Sequence, residues 1–393
     1  MILNLLLIIL RRFMDKRFNN LKIGILGGGQ LGRMLLQKAI DFSLKIRILD
    51  PDPEAPCRHL AEEFILGDFR DYETVYNFGK ECALLTIEIE HVNVDALEKL
   101  EKEGVLVFPQ PNIIRVVQDK GEQKLFFKKH GIPTADFKIT ADKKDLSLLT
   151  EMFPAMQKLR KGGYDGKGVY RISSASDIDK AFDAPAVIEK LIPFEKEISV
   201  IVARRINGET LCFPAVEMEF NTEANLVEFL YSPAELDKAT ELKAYEIASL
   251  LANTLGIVGI LAVEMFLTHD NEILVNEIAP RPHNSGHHTI EANRTSQYEQ
   301  LLRAILDLPL GKTDALCSAV MINLLGEKNY TGPAVYQSFE DAMKIDGVFI
   351  HLYGKKNTQP YRKMGHVTVT GNSKEEVKSK ALIIKNMLKV ISE

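Results

Sequence analysis

Two glutamates set the first chemical constraint. Glu264 lies in the apolar segment LAVEMFL and Glu277 in EILVNEI, with a polar break between them. A turn centred on Asp270-Asn271 makes 264 and 277 cross-strand partners, with both carboxylates on one face of a hairpin. Like charges directly opposite are destabilising, and the apolar neighbours keep water from relieving the repulsion. A hard divalent cation would relieve it. Oxygen ligands of this kind suit magnesium, with manganese as a substitute. A one-residue slip in register would instead separate the pair. The chain continues as NEIAPRPHNSGHH, which puts Arg281 and His283 within a few residues of the carboxylates. A guanidinium suits a planar oxyanion. His283 is either a ligand-facing imidazole or a satisfied core histidine.

Three further groups could meet anions. Residues 161–168, KGGYDGKG, hold four glycines in seven positions, and Lys158 lies just upstream on a strand. Such a loop can fold its backbone over a polyphosphate, and the lysine supplies a point charge. The spacing is not that of a P-loop, and a plain surface hairpin is the alternative. Gly27-Gly28-Gly29-Gln30-Leu31-Gly32 fits G-x-G-x-x-G after a strand, Lys22–Leu26. It offers backbone N–H groups and a helix N-terminus to a phosphate. Asp50 lies where a dinucleotide-binding fold keeps its ribose acid. That loop alone suits a nicotinamide site or a structural turn equally well. Lys355 and Arg362 are partners if a turn centres on Thr358-Gln359, with Lys363 beside them. They form a second anion site or a solvated basic turn.

The elements that must position these groups begin with strand, glycine turn, helix and strand (45–49), the start of a parallel α/β domain. Further strands are expected at 84–89 and 105–108. Pro109-Gln110-Pro111 punctuates the chain, and one helix is expected over 113–129, stopped by Gly131 and Pro133. The first domain boundary is placed near 112. Strands at 198–202 and 211–216 precede a helix opened by Ser232-Pro233-Ala234-Glu235 as N-cap, N1 and capping box, and closed by Gly256. The hairpin 260–267/272–278 follows, then a small α/β segment.

The 393 residues suggest two or three domains. Hydrophobic residues at 46% and charged residues at 26% describe an ordinary globular protein. A net charge of -5 excludes the broad basic excess of a nucleic-acid partner. Four cysteines without a CxxC argue against a disulfide framework or zinc site and for reduced, cytoplasmic thiols. Residues 1–10 are almost wholly apolar and precede Arg11-Arg12. Ten residues fall short of the ~20 that span a bilayer, and a signal peptide has its charges before the apolar run. Residues 1–18 are read as a dispensable extension with no role at a membrane, a surface anchor being the alternative.

Together GGGQLGRM, GGYDGKG, LAVEMFL…LVNEIAPRPHNSGHHT and YRKMGH resemble, in matching order from about residue 20 onward, the 5-(carboxyamino)imidazole ribonucleotide synthase family of the ATP-grasp superfamily. The combination of GGYDGKG with NEIAPRPHNSGH is specific, whereas the first glycine loop is not. The resemblance implies a mixed α/β and α+β fold. An N-terminal, Rossmann-like pre-ATP-grasp domain would span 19–112. An ATP-grasp domain would span 113–312, with a lid at about 137–192, and a small C-terminal domain 313–393, in a homodimer. It implies that ATP, bicarbonate and 5-aminoimidazole ribonucleotide give the N-carboxylated ribonucleotide, ADP and phosphate. For ATP it implies Lys120, Lys158, the loop Gly163, Tyr164, Asp165, Gly166, Lys167 and Gly168, the linker Glu189-Lys190-Leu191-Ile192, Glu197 at the ribose, and Asn276. Glu264 and Glu277 would hold magnesium. Gln30, Leu31, Glu88 (or Glu90), Asn284, Lys355, Arg362 and Lys363 would hold the phosphoribosyl amine. Arg281, Lys363 and His283 would hold bicarbonate, and Asp165 would lie near the reacting amine. The rival readings are a formate-using glycinamide ribonucleotide transformylase, a nicotinamide oxidoreductase and a non-catalytic nucleotide-binding regulator.

Overall fold

The computed structural model describes residues 21–163, 168–221 and 226–393. The expected extension 1–18 and the loop residues Tyr164, Asp165, Gly166 and Lys167 lie outside them.

Five parallel strands form the first sheet: β1 (Lys22–Leu26), β2 (Lys45–Asp50), β3 (Glu63–Leu66), β4 (Leu84–Ile87) and β5 (Leu106–Val107), in the order β3-β2-β1-β4-β5. Ile23, Ile25, Leu84 and Leu85 are fully buried, because helices cover both faces of such a sheet. The strand order reverses between β1 and β4. Ligand crevices of open α/β sheets form there, beyond the carboxyl ends of the strands. The glycine loop follows β1 and Glu88 follows β4, so both meet at this point.

A four-stranded antiparallel sheet spans β6 (Phe137–Thr140), β7 (Ala155–Leu159), β8 (Val169–Ile172) and β9 (Ala186–Lys190), with its own small core around Leu146, Ile172 and Ile188. The largest sheet draws on β10 (Phe194–Arg204), β11 (Thr210–Cys212), β12 (Val216–Asn221), β13 (Leu226–Ser232), β14 (Gly259–Thr268), β15 (Ile273–Ala279) and β16 (Ser318–Leu325). The chain ends with β17 (Gly332–Gln337), β18 (Val348–Leu352), β19 (Asn357–Thr358), β20 (Lys363–Gly371) and β21 (Lys389–Ser392). The large sheet runs β15-β14-β10-β12-β13-β16-β20-β18, so it continues past residue 312 without a break. One core joins the helix Gln30–Asp41, through Leu31, Met34 and Leu35, to Ile260 and Ala262 of β14 and to Tyr298. The crevice of the first sheet is thereby fixed against the large one.

Several local expectations are corrected. The single helix over 113–129 is two, Pro111–Val117 and Lys120–Lys129. Asp119 breaks it by capping the second, its carboxylate accepting from the N–H of Gly121 (2.9 Å) and Glu122 (3.3 Å). Lys120 therefore begins a helix rather than lying inside one. Ser232 does not open a helix. It ends β13 opposite Ala319, and the helix starts at Lys238 behind the cap of Asp237, ending at Gly256 as expected. The strand expected at 211–216 is broken into β11 and β12, and Pro214, which has no N–H for a ladder, lies between them.

The decisive hairpin is also built differently. The turn has three residues, with Asn271 at φ 58°, and the pairs nearest it are Leu267 with Ile273 and Met265 with Val275. That register alone would slide Glu277 past Glu264. A bulge at Asn276 restores the pairing of Glu264 with Glu277. In a bulge two successive residues oppose one partner residue and the strand bends, which is how Asn276 and Glu277 both come to reach the lysines described below.

Candidate active site

A cleft of about 450 Å³ opens between the first sheet and the large one. Its walls carry Gln30, Leu31, Glu88, Lys120, Gly163 and Glu264. They also carry Glu277, Arg281, His283, Asn284 and Lys363. Lys158, Glu189, Glu197 and Asn276 form a polar layer that adjoins it through Lys120 and Glu277.

The carboxylate pair stands where the hairpin sets it. Glu277 is held by Lys120, whose ammonium contacts its Oε2. Lys120 and Lys158 lower the pKa of Glu277, while burial and the Glu277 charge raise that of Glu264. The pair therefore keeps one proton, on Glu264. Burial opposes the charge on Lys120, but Glu277 outweighs it and raises the ammonium's pKa. His283 turns Nε2 toward Glu264 at 3.4 Å, and its Nδ1 lies 2.9 Å from the Ser285 hydroxyl. Burial, helped by Arg281, pulls its pKa down to about 4, so the ring is neutral at pH 7. Arg281 faces Glu90 at 2.7 Å. Burial works against the Glu90 charge, and Arg281 overcomes it and lowers the pKa. Asn284 and Asn323 exchange side-chain hydrogen bonds of 2.8 and 3.1 Å, which tie the cleft to β16.

The nucleotide-type residues form a second network. Lys158 on β7 donates to Asn276 Oδ1 at 2.7 Å and lies 3.1 Å from Glu189 Oε1. Glu189 on β9 is buried, and the lysines around it outweigh burial and keep it ionised. Burial pushes Glu197 on β10 up to about 7. Lys190, Leu191 and Ile192 lie at and just beyond the end of β9, outside the cleft wall, and Gly168 precedes β8.

Two expected anion sites are not formed as such. In the glycine loop, Gly28 N–H donates to Asp50 Oδ2 (2.6 Å), and Gly29 and Gly32 N–H donate to Glu88 (3.0 and 3.2 Å). These three donors are taken by the chain's own carboxylates. Asp50 is buried and also accepts from Asp52 N–H (2.8 Å), which removes the ribose acid of a dinucleotide site. A Cβ on Gly27 would stand 2.6 Å from Glu88, so the glycine there makes room for that carboxylate. Lys355 and Arg362 are not cross-strand partners either. The β18–β20 ladder ends at Leu352 and Gly365, and β19 leaves to pair with β17. Lys355 Nζ donates to Lys363 O, and the Arg362 guanidinium to Asn357 O, each at 2.7 Å. Of these three cations, Lys363 lines the cleft.

Sequence reasoning missed Lys124. It is 2% exposed, one helical turn beyond Lys120, and lies 3.1 Å from Glu189. The i, i+4 spacing of the two lysines was the available signal. It also left Glu90 and Glu88 undivided, although Glu88 holds the loop and Glu90 faces Arg281.

Three family models match the chain: a ribonucleotide synthetase preATP-grasp domain over 21–118, an ATP-grasp domain over 125–298, and a phosphoribosylaminoimidazole carboxylase C-terminal domain over 319–380. The N5-carboxyaminoimidazole ribonucleotide synthase of Bacillus subtilis is 37% identical, over 90% of this chain and 92% of its own length. The chain belongs to the N5-carboxyaminoimidazole ribonucleotide synthase family. It is thus an ATP-grasp ligase of purine biosynthesis, which makes N5-carboxyaminoimidazole ribonucleotide. The family's synthetase from Thermotoga maritima has the same fold (TM-score 0.88, 44% identity, 95% of this chain and 99% of that one). So does the enzyme of Aspergillus clavatus solved with ADP and 5-aminoimidazole ribonucleotide (0.86, 34%, 94% and 98%). The chain spans about two thirds of the length of the plant and fungal phosphoribosylaminoimidazole carboxylases it also matches. Among the described residues no helix is long and apolar enough to cross a membrane.

Proposed function

We propose that the cleft carboxylates 5-aminoimidazole ribonucleotide with bicarbonate through carboxyphosphate, formed at the expense of ATP. The observation that carries this reading is the meeting, in one cleft, of the Glu264/Glu277 pair with Arg281, His283 and Lys363. Lys120 and Lys158 move from their carboxylate partners to the triphosphate. The linker around Glu189–Ile192 receives adenine and Glu197 the ribose.

The donor set fits a magnesium ion. Two half-buried carboxylates face each other, and one of them is forced to keep a proton. When bound between them, the ion would offset charge on the terminal phosphates. Arg281, oriented by Glu90, holds bicarbonate together with Lys363. Neutral His283 accepts the bicarbonate O–H. A bicarbonate oxygen attacks the γ-phosphorus and ADP leaves. The amine then takes the carboxyl carbon, directly or as free CO₂, and phosphate leaves. Gln30, Leu31, Glu88 and Asn284 line the ribonucleotide side, with Lys355 and Arg362 at its margin; Asp165, which the family resemblance assigns to the amine, lies outside the described residues. The segment 137–192 serves as the lid that keeps water from carboxyphosphate. Domain limits near 112 and 312 and a homodimer belong to the same reading, on the strength of the family resemblance. So does a cytoplasmic location, which the four free cysteines suit.

Phosphate release with ATP and each pairing of two amines with two acids tests the reading. Aminoimidazole ribonucleotide with bicarbonate should be fastest by at least ~100-fold, because a site of buried hydrogen bonds rejects an amine that leaves them unpaired. Faster turnover with glycinamide ribonucleotide and formate would assign the chain the transformylase reaction.

A further inference from the structure

Glu189 carries two buried lysines where one would neutralise it. Lys158 lies 3.1 Å from its Oε1 and Lys124 lies 3.1 Å from its Oε2. The two cations are held differently. Lys158 is otherwise bonded to one neutral side chain, Asn276. Lys124 is fastened to the frame of the sheet. Its ammonium donates to Thr134 Oγ1 at 2.7 Å, and that hydroxyl donates to Val275 O at 2.6 Å, next to the bulge at Asn276. The ring of Phe127 lies beneath it, with the ammonium 5.8 Å from the centroid.

The reading above requires Lys158 to exchange a carboxylate for phosphate oxygens. A carboxylate left buried and unpaired is strongly destabilising. With Lys158 as its sole counter-ion, Glu189 would oppose every nucleotide that drew the lysine away. We propose that Lys124 is a positioning residue for nucleotide binding, the standing counter-ion of Glu189 that lets Lys158 leave for the triphosphate. This rests on Lys158 meeting phosphate. The contrast with Lys120 supports it. Among the described contacts Glu277 has no second lysine, and its replacement charge would arrive with the nucleotide as a divalent cation. Glu189 lies away from that cation's carboxylates and needs a charge built into the fold. Burial pulls the Lys124 ammonium down to about 8, Glu189 acting against it, so the charge is still carried at neutral pH.

The test is the ATP KM and the ADP dissociation constant of four full-length variants. Lys124→Met should raise both at least ~10-fold. The KM for the ribonucleotide, and kcat at saturating ATP, should stay within about threefold. In a Glu189→Gln background Lys124→Met should change nucleotide binding by less than about threefold, because a carboxamide needs no counter-ion. An unchanged ATP KM in Lys124→Met overturns the proposal. So does a rise of the same size when Lys124→Met is made in the Glu189→Gln background, since that would mark lost packing. If Lys124→Met does not fold, Glu189→Gln is compared with the double variant: equal ATP KM values support the counter-ion role and a large difference contradicts it. Lys158→Met separates the two layers. If it leaves nucleotide binding unchanged, the assignment of Lys158 to phosphate fails, and the handover with it. If it weakens binding while Lys124→Met does not, the handover alone fails.

Discussion

The glycine loop after β1 and the β14–β15 hairpin both bring carboxylates to the same cleft, and they treat them in opposite ways. At the loop, Glu88 accepts from the N–H groups of Gly29 and Gly32, so its oxygens find donors within the fold even though burial raises its pKa. At the hairpin, Glu264 faces Glu277; Lys120 meets the Glu277 charge, and burial beside that charge disfavours a second one on Glu264. The loop has the sequence of a ligand site and is closed. The hairpin has the sequence of two apolar strands and is open to a cation. A motif names the donors and acceptors, but their long-range partners decide which remain available to a ligand.

The largest effect should follow from opening the hairpin. Glu277→Gln should lower metal-dependent kcat by ~10³-fold or more, since it removes a ligand of the ion offsetting phosphate charge. The fold should survive, because Glu264 can then ionise and take over Lys120. Turnover near the wild-type rate would remove the metal assignment. Opening the loop should act on stability instead. Glu88→Ala leaves two buried N–H groups without acceptors and should cost about 2–4 kcal/mol in chemical denaturation. A loss below 1 kcal/mol would mean that water readily replaces the carboxylate.

A third substitution tests charge that the fold refuses to hold. Burial pulls His288 down to about 3, below its unfolded value of roughly 6.5. The unfolded chain therefore binds the extra proton first. The stabilisation is fully present above ~pH 6.5 and is lost as pH falls toward 3, by about 1.4 kcal/mol per unit for one histidine. His288→Leu should flatten the acid limb of the stability curve by one proton, and an unchanged limb would contradict the burial argument. The smallest effect is the sharpest contrast with Glu88. Glu264→Gln should leave the metal-free protein equally stable or up to about 1 kcal/mol more stable, because an amide replaces a carboxyl whose charge the fold already disfavours beside Glu277. A clear loss would mean that the pair is satisfied without a cation.

The parallel start of the fold was legible because Lys22–Leu26 is a buried apolar run directly before a glycine turn. The carboxylate pair was legible because strand periodicity puts Glu264 and Glu277 on one face. The route to it was not. A two-residue turn and a three-residue turn with a bulge give the same pairing here, and the bulge at Asn276 has no local signature. Side-chain partners distant in sequence were also hidden. Nothing near Gly27 announces that Glu88 will occupy the loop, and nothing near Lys355 announces that β19 will pair with β17. The helix break at Asp119 could have been read from its capping character, which the longer apolar pattern masked. At Ser232 the opposite happened, since a good capping box was overridden by pairing with β16.

The cation proposed here belongs to the hairpin and not to the glycine loop. Binding of Mn²⁺ with ADP, followed by electron paramagnetic resonance, tests it most directly in wild type, Glu277→Gln and Glu88→Gln. Glu277→Gln is expected to weaken the tight Mn²⁺ site at least ~100-fold, whereas Glu88→Gln should bind as wild type does. Tight binding that survives in Glu277→Gln and is lost in Glu88→Gln would contradict it.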